Sequence, residues 1–282
     1  MNAITGLPRS GSTLLCNILN QNPNIYCSST SILPGVVNGM ATYMSQQLEY
    51  KYELDQNRKK AEKKLVDSIQ AFCDTWYKRK ENIIFDKSRG WTMNVDLLTA
   101  LNGKSILLVR DIRNRISSVE KQNRNTPIFG ENHISFGDRL DQLLDPVAGI
   151  VGHSLSGVKS LIDRNYNCSI VLSIDGLENH KKSCKDSDVL IVKYEYLSKY
   201  PKEILELIYS FIDVDLYEHD FENVKNTSKD CDGLYLYKFP HEGSGKVIEK
   251  NPLEYKKYMS PIIANMITEK YKWFYKIFQY ND

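Results

Sequence analysis

The sequence lacks several features that define special classes of protein. One long stretch without a charged side chain, residues 10–48, is interrupted by Asn and Ser residues and by Pro23 and Pro34, so it cannot cross a bilayer. The 37 basic and 35 acidic residues leave a net charge of +2, so bulk charge predicts neither nucleic acid nor a membrane surface as a partner. Internal repeats and low-complexity linkers are also missing, which favours a single domain over residues 1–282.

Cysteine is scarce and scattered. The six cysteines form no C-x-x-C pair, and no His/Cys cluster has the spacing of metal ligands, so the sequence predicts reduced thiols and no metal site. The opening Met-Asn-Ala-Ile lacks the pattern of a signal peptide. We therefore expect a cytoplasmic protein, and the abundant Asn, Lys, Ile and Tyr are typical of an AT-rich microbial or viral gene. A Golgi location is the alternative only if an N-terminal anchor precedes residue 1.

Hydrophobic residues make up 41% of the chain and charged residues 26%, as in ordinary globular proteins. Short, continuously apolar segments alternate with helical patterns, which predicts an α/β fold of three layers: a parallel sheet of about four or five strands with helices on both faces. Residues 168–180 fit a strand or a helix equally well. Residues 123–146, rich in Asn, Gly and Pro, are expected to form a long variable loop on the acceptor side of the site. The predicted strands cover residues 2–5, 24–27, 83–85, 105–109 and 189–192.

The segment Gly-Leu-Pro-Arg-Ser-Gly-Ser-Thr follows the first predicted strand and opens a helix. Small residues let backbone N–H groups turn inward, the helix N-terminus adds positive charge, and hydroxyls can donate to an anion, so the pattern predicts a phosphate cradle. It is similar to a P-loop, but Ser12 replaces the lysine that nucleoside-triphosphate enzymes need, and the positive charge stands at Arg9. A plain capped turn is the alternative. The candidate contacts are Pro8, Arg9, Ser10, Gly11, Ser12 and Thr13.

Two further segments follow apolar strands and carry charge. Arg110 ends the strand at residues 105–109, and Ser118 lies eight residues on, so both could hold one phosphate, although a surface salt bridge would also explain Arg110. Asp86 and Lys87 follow the strand at residues 83–85, where a carboxylate could accept a proton or merely cap a turn. The carboxyl ends of parallel strands meet at one edge of a sheet, so we expect these segments to build one site.

The loop at residues 8–13 resembles the 5′-phosphosulfate loop of sulfotransferases that use 3′-phosphoadenosine 5′-phosphosulfate (PAPS). Its arginine version is similar to the tyrosylprotein and bacterial branch of that family. Arg110 and Ser118 match the family's 3′-phosphate motif, with Ile112 where proline is frequent. The resemblance therefore implies a donor with phosphates at both ends, which differs from a nucleoside triphosphate.

The segment Phe-Asp-Lys-Ser at residues 85–88 resembles Phe-Glu-Lys-Ser of heparan-type sulfotransferases, where the carboxylate is the proposed base. The resemblance implies that Asp86 takes the acceptor proton while Arg9 and Lys87 stabilise the sulfonate. The cytosolic branch uses a histidine in this region, and His133 and His153 are the reserve candidates for the base.

Two C-terminal segments complete the resemblance. The stretch Tyr-Glu-Tyr-Leu at residues 194–197 is similar to the family's Tyr-Glu-Asp-Leu segment, which implies that Tyr194 contacts the adenine ring. The segment Gly-Ser-Gly-Lys at residues 243–246 is the best match to the loop that closes over the nucleotide, through Gly245 and Lys246, and a simple turn is the alternative.

The resemblance implies a PAPS-dependent sulfotransferase that transfers sulfonate to a hydroxyl or amine without a metal and releases 3′-phosphoadenosine 5′-phosphate (PAP). A small molecule, a saccharide or a peptide could be the acceptor, and the oligomeric state is open. Two alternatives stay open as well: a P-loop kinase, which would bind nucleoside triphosphate with Mg²⁺, and a non-catalytic nucleotide-binding protein with the same fold.

Overall fold

Six strands, each parallel to its neighbours, form the centre of the fold in a computed structural model that describes residues 1–125, 136–228, 230 and 243–280. They are β1 (Asn2–Gly6), β2 (Ile25–Thr30), β3 (Ile83–Lys87), β4 (Ser105–Val109), β5 (Cys168–Ile170) and β6 (Val189–Lys193). Their order across the sheet is β2-β3-β1-β4-β6-β5. The predicted α/β class is confirmed. The sheet has one or two more strands than predicted, since three-residue β5 lies at an edge, within the segment that fitted strand or helix equally well.

Twelve α-helices flank this sheet in the described part of the chain. They are α1 (Ser12–Leu19), α2 (Leu33–Gln46), α3 (Leu48–Tyr77), α4 (Val95–Ala100), α5 (Ile112–Asn125), α6 (Phe136–Leu144), α7 (Gly152–Asp163), α8 (Leu177–Cys184), α9 (Tyr194–Lys199), α10 (Pro201–Phe211), α11 (Pro261–Lys270) and α12 (Lys272–Phe278). Short 3₁₀ helices cover Arg89–Thr92 and Glu254–Lys257. None of the helices described is both long and apolar enough to span a membrane.

Both faces of the sheet are covered because its central strands are apolar on both sides. On β4, Ile106 and Leu108 pack into one cluster with α1 and α10, while Leu107 and Val109 pack into another with α5, α7 and α12. This alternation is the two-residue period of a strand. All five residues of β4 are buried, which explains why the sequence shows a continuous apolar run there.

Several predicted boundaries were wrong. The loop expected over residues 123–146 contains helix α6 and the end of α5, and residues 126–135 within it lie outside the described part. The pattern of the sequence predicts one helix over residues 261–278, but the structure has two helices there that meet at Tyr271. The segment 168–180 contains β5 and the beginning of α8, so each competing interpretation was correct for part of it. The five cysteines in the described part form no disulfide, and Cys231 lies outside it.

The strand order brings the candidate segments together. Strands β3, β1, β4 and β6 are consecutive and parallel, so the loops after their carboxyl ends open on one edge of the sheet. The chain leaves β1 toward β2 and β3 on one side and places β4 on the other side, and such a switch point is where open α/β sheets bind ligands.

Candidate active site

The loop between β1 and α1 has a backbone shape that depends on two glycines. At Gly6, with φ +129°, a Cβ would lie 2.1 Å from the carbonyl oxygen of Leu108. At Gly11, with φ +88°, a Cβ would lie 2.3 Å from the ring of Tyr194. Arg9 also has a left-handed backbone, at φ +62°. The loop therefore curls tightly over the end of β1, directly against the side chain that follows β6.

Ser10 braces this loop from inside. Its hydroxyl is fully buried, donates to the carbonyl oxygen of Leu7, and lies 3.1 Å from that of Leu108. The Leu7 amide donates to the same Leu108 oxygen at 3.0 Å. The Ser10 side chain thus holds the loop to β4, so any contact of Ser10 with a ligand has to come from its backbone.

We call residues 8–13 the anion loop, after the ligand that the sequence predicts for it. Arginine side chains from this loop and from the end of β4 converge at the same place. Arg9 Nε lies 3.5 Å from Ser118 Oγ on α5, and Arg110 Nη1 donates to the Arg9 carbonyl at 3.1 Å. The Arg110 guanidinium also stacks on the ring of Tyr194, 4.7 Å from its centroid. Four of the predicted nucleotide contacts, Arg9, Arg110, Ser118 and Tyr194, are therefore brought together with Gly11 at one edge of the sheet.

Lys87 lies on the other side of the anion loop, in an ion pair that the sequence analysis missed. Its Nζ donates to Thr13 Oγ1 at 3.1 Å and to Asp230 Oδ2 at 2.5 Å. Burial alone would raise the pKa of the Asp230 carboxyl, but the Lys87 ammonium and a hydrogen bond from the Thr30 amide hold it below its ordinary value. Asp230 belongs to no motif in the sequence, so only its position in the fold reveals it.

Asp86, the predicted base, is not brought to this cluster. Its neighbour Lys87 faces α1, and adjacent side chains of a strand point to opposite faces, so Asp86 faces away. One carboxylate oxygen accepts from Trp91 Nε1 at 2.6 Å, and the other accepts from the Tyr77 hydroxyl. Asp86 is fully buried, and this burial raises the pKa of its carboxyl.

The two reserve candidates for the base have different positions. His153 is exposed near the beginning of α7 and does not line the cleft described below, whereas His133 lies outside the described residues.

A cleft of about 560 Å³ opens above these residues. Loop residues and β-strand ends form its floor, while Leu143, Ile150 and Val119 give one wall an apolar surface. No acidic residue is found among the described residues that line it. The basic lining residues are Arg9, Lys87, Arg89, Arg110, Arg139, Lys246 and Lys250. This charge favours an anionic ligand.

A buried arginine lies behind the loop. Arg115 on α5 is fully buried, and its Nε donates to the Pro8 carbonyl at 2.5 Å. Its two Nη atoms have no hydrogen-bond partner among the residues described. Burial, together with Arg110 and Arg89 nearby, lowers the pKa of Arg115 to about 9. Arg115 does not line the cleft, and its bond to the Pro8 carbonyl braces the loop from behind.

The predicted lid segment contacts the anion loop's helix. Gly243 packs on α1 so closely that a Cβ would lie 2.7 Å from the Leu14 amide nitrogen. Gly245 forms a two-way backbone bridge with Val224, and Lys246 lines the cleft while pairing with Glu222 at 2.7 Å. Gly245 is therefore a backbone anchor of this segment, and Lys246 is its cleft-facing charge.

Fold and site together define a class: an α/β protein whose first strand, loop and helix resemble a P-loop, with Ser12 at the lysine position and the positive charge at Arg9. The particular family follows from the sequence, because the model of the sulfotransferase family matches residues 3–219. The chain belongs to that family. No curated protein matches the chain in sequence.

Solved structures with a similar fold include a mouse sulfotransferase in complex with PAP, which is 12% identical, covers 99% of this chain and 84% of that chain, and has a TM-score of 0.50. The sulfotransferase domain of the curacin biosynthetic pathway is 15% identical over 96% of this chain and 98% of its own, with a TM-score of 0.47. A retinol dehydratase solved with androsterone and inactive cofactor PAP is 13% identical, covers 95% of this chain and 78% of its own chain, and has a TM-score of 0.47. At these identities, the likeness is one of fold.

Proposed function

We propose that the protein transfers a sulfonate group from PAPS to a hydroxyl or amine acceptor. The observation that carries this proposal is the convergence of Arg9, Arg110, Ser118 and Tyr194 around Gly11 at one edge of the sheet. A donor with phosphates on both its 3′ and 5′ oxygens needs two anion sites, one on each side of its ribose ring. This cluster offers two arginines, a hydroxyl and an aromatic ring within one cleft.

Each group then has a role that follows from its position. Arg110 and Ser118 would hold the 3′-phosphate, and the backbone N–H groups of residues 8–13 would hold the 5′-phosphate at the beginning of α1. Tyr194 would contact the adenine. The basic lining of the cleft fits a ligand of this charge.

Bound here, PAPS would supply an electrophilic sulfur, to which the acceptor's oxygen or nitrogen bonds as the link from sulfur to the bridging phosphate oxygen breaks and PAP leaves. Arg9 and Lys87 are the cations placed to stabilise the charge that develops on the sulfonate and the bridging oxygen. Asp86 has both oxygens engaged away from the cleft, so we reassign it to a structural role. Because no Asp, Glu or His is among the described residues that line the cleft, we propose that the acceptor loses its proton to the solvent.

Thermal unfolding with PAP, compared with ATP and Mg²⁺, tests this function. A ligand at 100 times its Kd stabilises a protein by about 2.7 kcal/mol, which corresponds to a rise in Tm of about 5 to 10 °C for a chain of this size. We expect that rise with PAP, and we expect Arg110→Ala to abolish it. The exposed helix residue Arg58 provides the matched control, since Arg58→Ala removes the same charge far from the cleft.

Other outcomes separate the alternatives. A rise with ATP and Mg²⁺ alone would reject the sulfotransferase proposal in favour of a kinase. Binding of PAP without release of sulfonate from labelled PAPS, over a broad panel of acceptors, would indicate a non-catalytic nucleotide-binding protein.

A further inference from the structure

A buried carboxylate connects three elements behind the anion loop. Asp230 Oδ1 accepts from the Thr30 amide of β2 at 2.7 Å, and Oδ2 accepts from Thr13 Oγ1 of α1 at 3.2 Å and from Lys87 Nζ of β3 at 2.5 Å. The side chains of Lys87 and Asp230 are only 4% and 2% exposed. An ion pair this deeply buried is expensive to desolvate, so its presence calls for a reason.

Asp230 and the three residues that it contacts differ in whether they line the cleft. Lys87, Thr13 and Thr30 all line the cleft, whereas Asp230 does not. The carboxylate therefore lies behind the three groups that it contacts. An ammonium has three N–H donors; Asp230 and Thr13 take two of them, which leaves one for a ligand in the cleft.

Lysine needs such support here for two reasons. Its four-carbon stem is flexible, so an unpaired ammonium would sample many positions. An ammonium buried without a counter-charge is also costly, because burial removes the water that would otherwise solvate it. Without Asp230, the ammonium would have no buried counter-charge among its described contacts.

We propose that Asp230 is a positioning residue that holds Lys87, charged and in place, against the sulfonate of the donor. The inference rests on the proposed function, because it gives Lys87 the sulfonate as its ligand. It predicts a specific signature: Asp230 matters for the sulfonate and little for the rest of the nucleotide. PAP lacks that sulfonate, so the ratio of the dissociation constants of PAP and PAPS isolates the contribution of Lys87.

The experiment measures that ratio by calorimetry at low temperature, together with release of labelled sulfate from PAPS in the absence of added acceptor. Variants are Asp230→Asn, Lys87→Met and the double variant, with Asp215→Asn as control because Asp215 is an exposed acid that does not line the cleft. Charge-assisted hydrogen bonds are worth roughly 10- to 100-fold in affinity. We expect Asp230→Asn to reduce the ratio by about 10-fold while PAP affinity changes by less than about 3-fold.

The double variant tests coupling and also guards against misfolding. If Asp230 acts through Lys87, the double variant has the same ratio as Lys87→Met alone. Should Asp230→Asn fail to fold because it leaves an uncompensated buried ammonium, the double variant removes that charge and should fold, and its ratio then decides the matter. A double variant with a clearly lower ratio than Lys87→Met would overturn the proposal.

Three results have different meanings. A wild-type ratio in Asp230→Asn would reduce Asp230 to a purely structural residue and overturn the inference. Tighter PAPS binding in Asp230→Asn would also overturn it, by showing that the carboxylate competes with the sulfonate. Wild-type protein that binds neither PAP nor PAPS would instead reject the proposed function itself.

Discussion

Replacement of Gly11 by alanine should damage the site more than any surface substitution of the same size. Gly11 has φ +88°, where a residue with a Cβ is strained, and that Cβ would lie 2.3 Å and 2.6 Å from two carbons of the Tyr194 ring. The strain costs about 1 to 3 kcal/mol, and relief of the overlap requires movement of the loop or the ring for about 1 to 3 kcal/mol more. Either movement disturbs the stacking of Arg110 on Tyr194.

The assay is denaturant unfolding together with PAP affinity. We expect Gly11→Ala to lose about 2 to 6 kcal/mol of stability and at least about 10-fold in PAP affinity, because the loop or Tyr194 has to move. Gly39→Ala is the matched control: Gly39 lies within α2 with no atom within 4 Å of the added Cβ, so it should stabilise by about 0.5 to 1 kcal/mol. Unchanged stability and PAP affinity in Gly11→Ala would refute the close fit of loop and ring.

Three further predictions address the interior. Asp86→Asn should lose about 1 to 3 kcal/mol of unfolding free energy, because the amide side chain cannot accept from both Tyr77 and Trp91. Sulfate release from PAPS should stay within about 3-fold of wild type. A fall of about 100-fold in turnover with an intact fold would restore Asp86 as the base. Ser10→Ala should lower Tm and weaken PAP binding only modestly, since its hydroxyl braces the loop, and a complete loss of PAP binding with unchanged Tm would contradict that role. Burial lowers the pKa of His219 to about 4, so the unfolded chain binds more protons than the folded chain between about pH 6.5 and 4. The free energy of unfolding therefore falls as the pH decreases through that window, by at most about 3 kcal/mol. The loss of Tm from pH 7 to pH 5 should be smaller in His219→Gln than in wild type, and equal losses would contradict the lowered pKa.

The local parts of the site could be predicted from the chain. The strand–loop–helix at residues 2–19 is encoded by neighbours in sequence: an apolar strand, small residues, then a helical apolar pattern. Arg110 and Ser118 both line the cleft, and their spacing depends on a strand end and two turns of helix, which are also local. Convergence of these segments followed from a general property of parallel sheets, and the strand order bears it out.

Helix α6 shows where sequence patterns are insufficient. Its composition resembles a loop, yet Leu140 and Leu144 are buried in the cluster that includes α7 and α12. Most helical stability in proteins comes from the packing of such a face and only a little from intrinsic propensity, so the partners have to be known first.

The sequence by itself determined the α/β class, the anion loop and its arginine, and the family to which the chain belongs, because each depends on short-range pattern. Only the tertiary structure decided where each acid lies and which groups it contacts. Asp86 and Lys87 are adjacent in sequence, but the pleat of β3 sends the aspartate to Trp91 and the lysine to the cleft. Asp230 contacts Lys87 although the two are 143 residues apart in sequence, and such a contact exists only after the fold has brought these distant segments together.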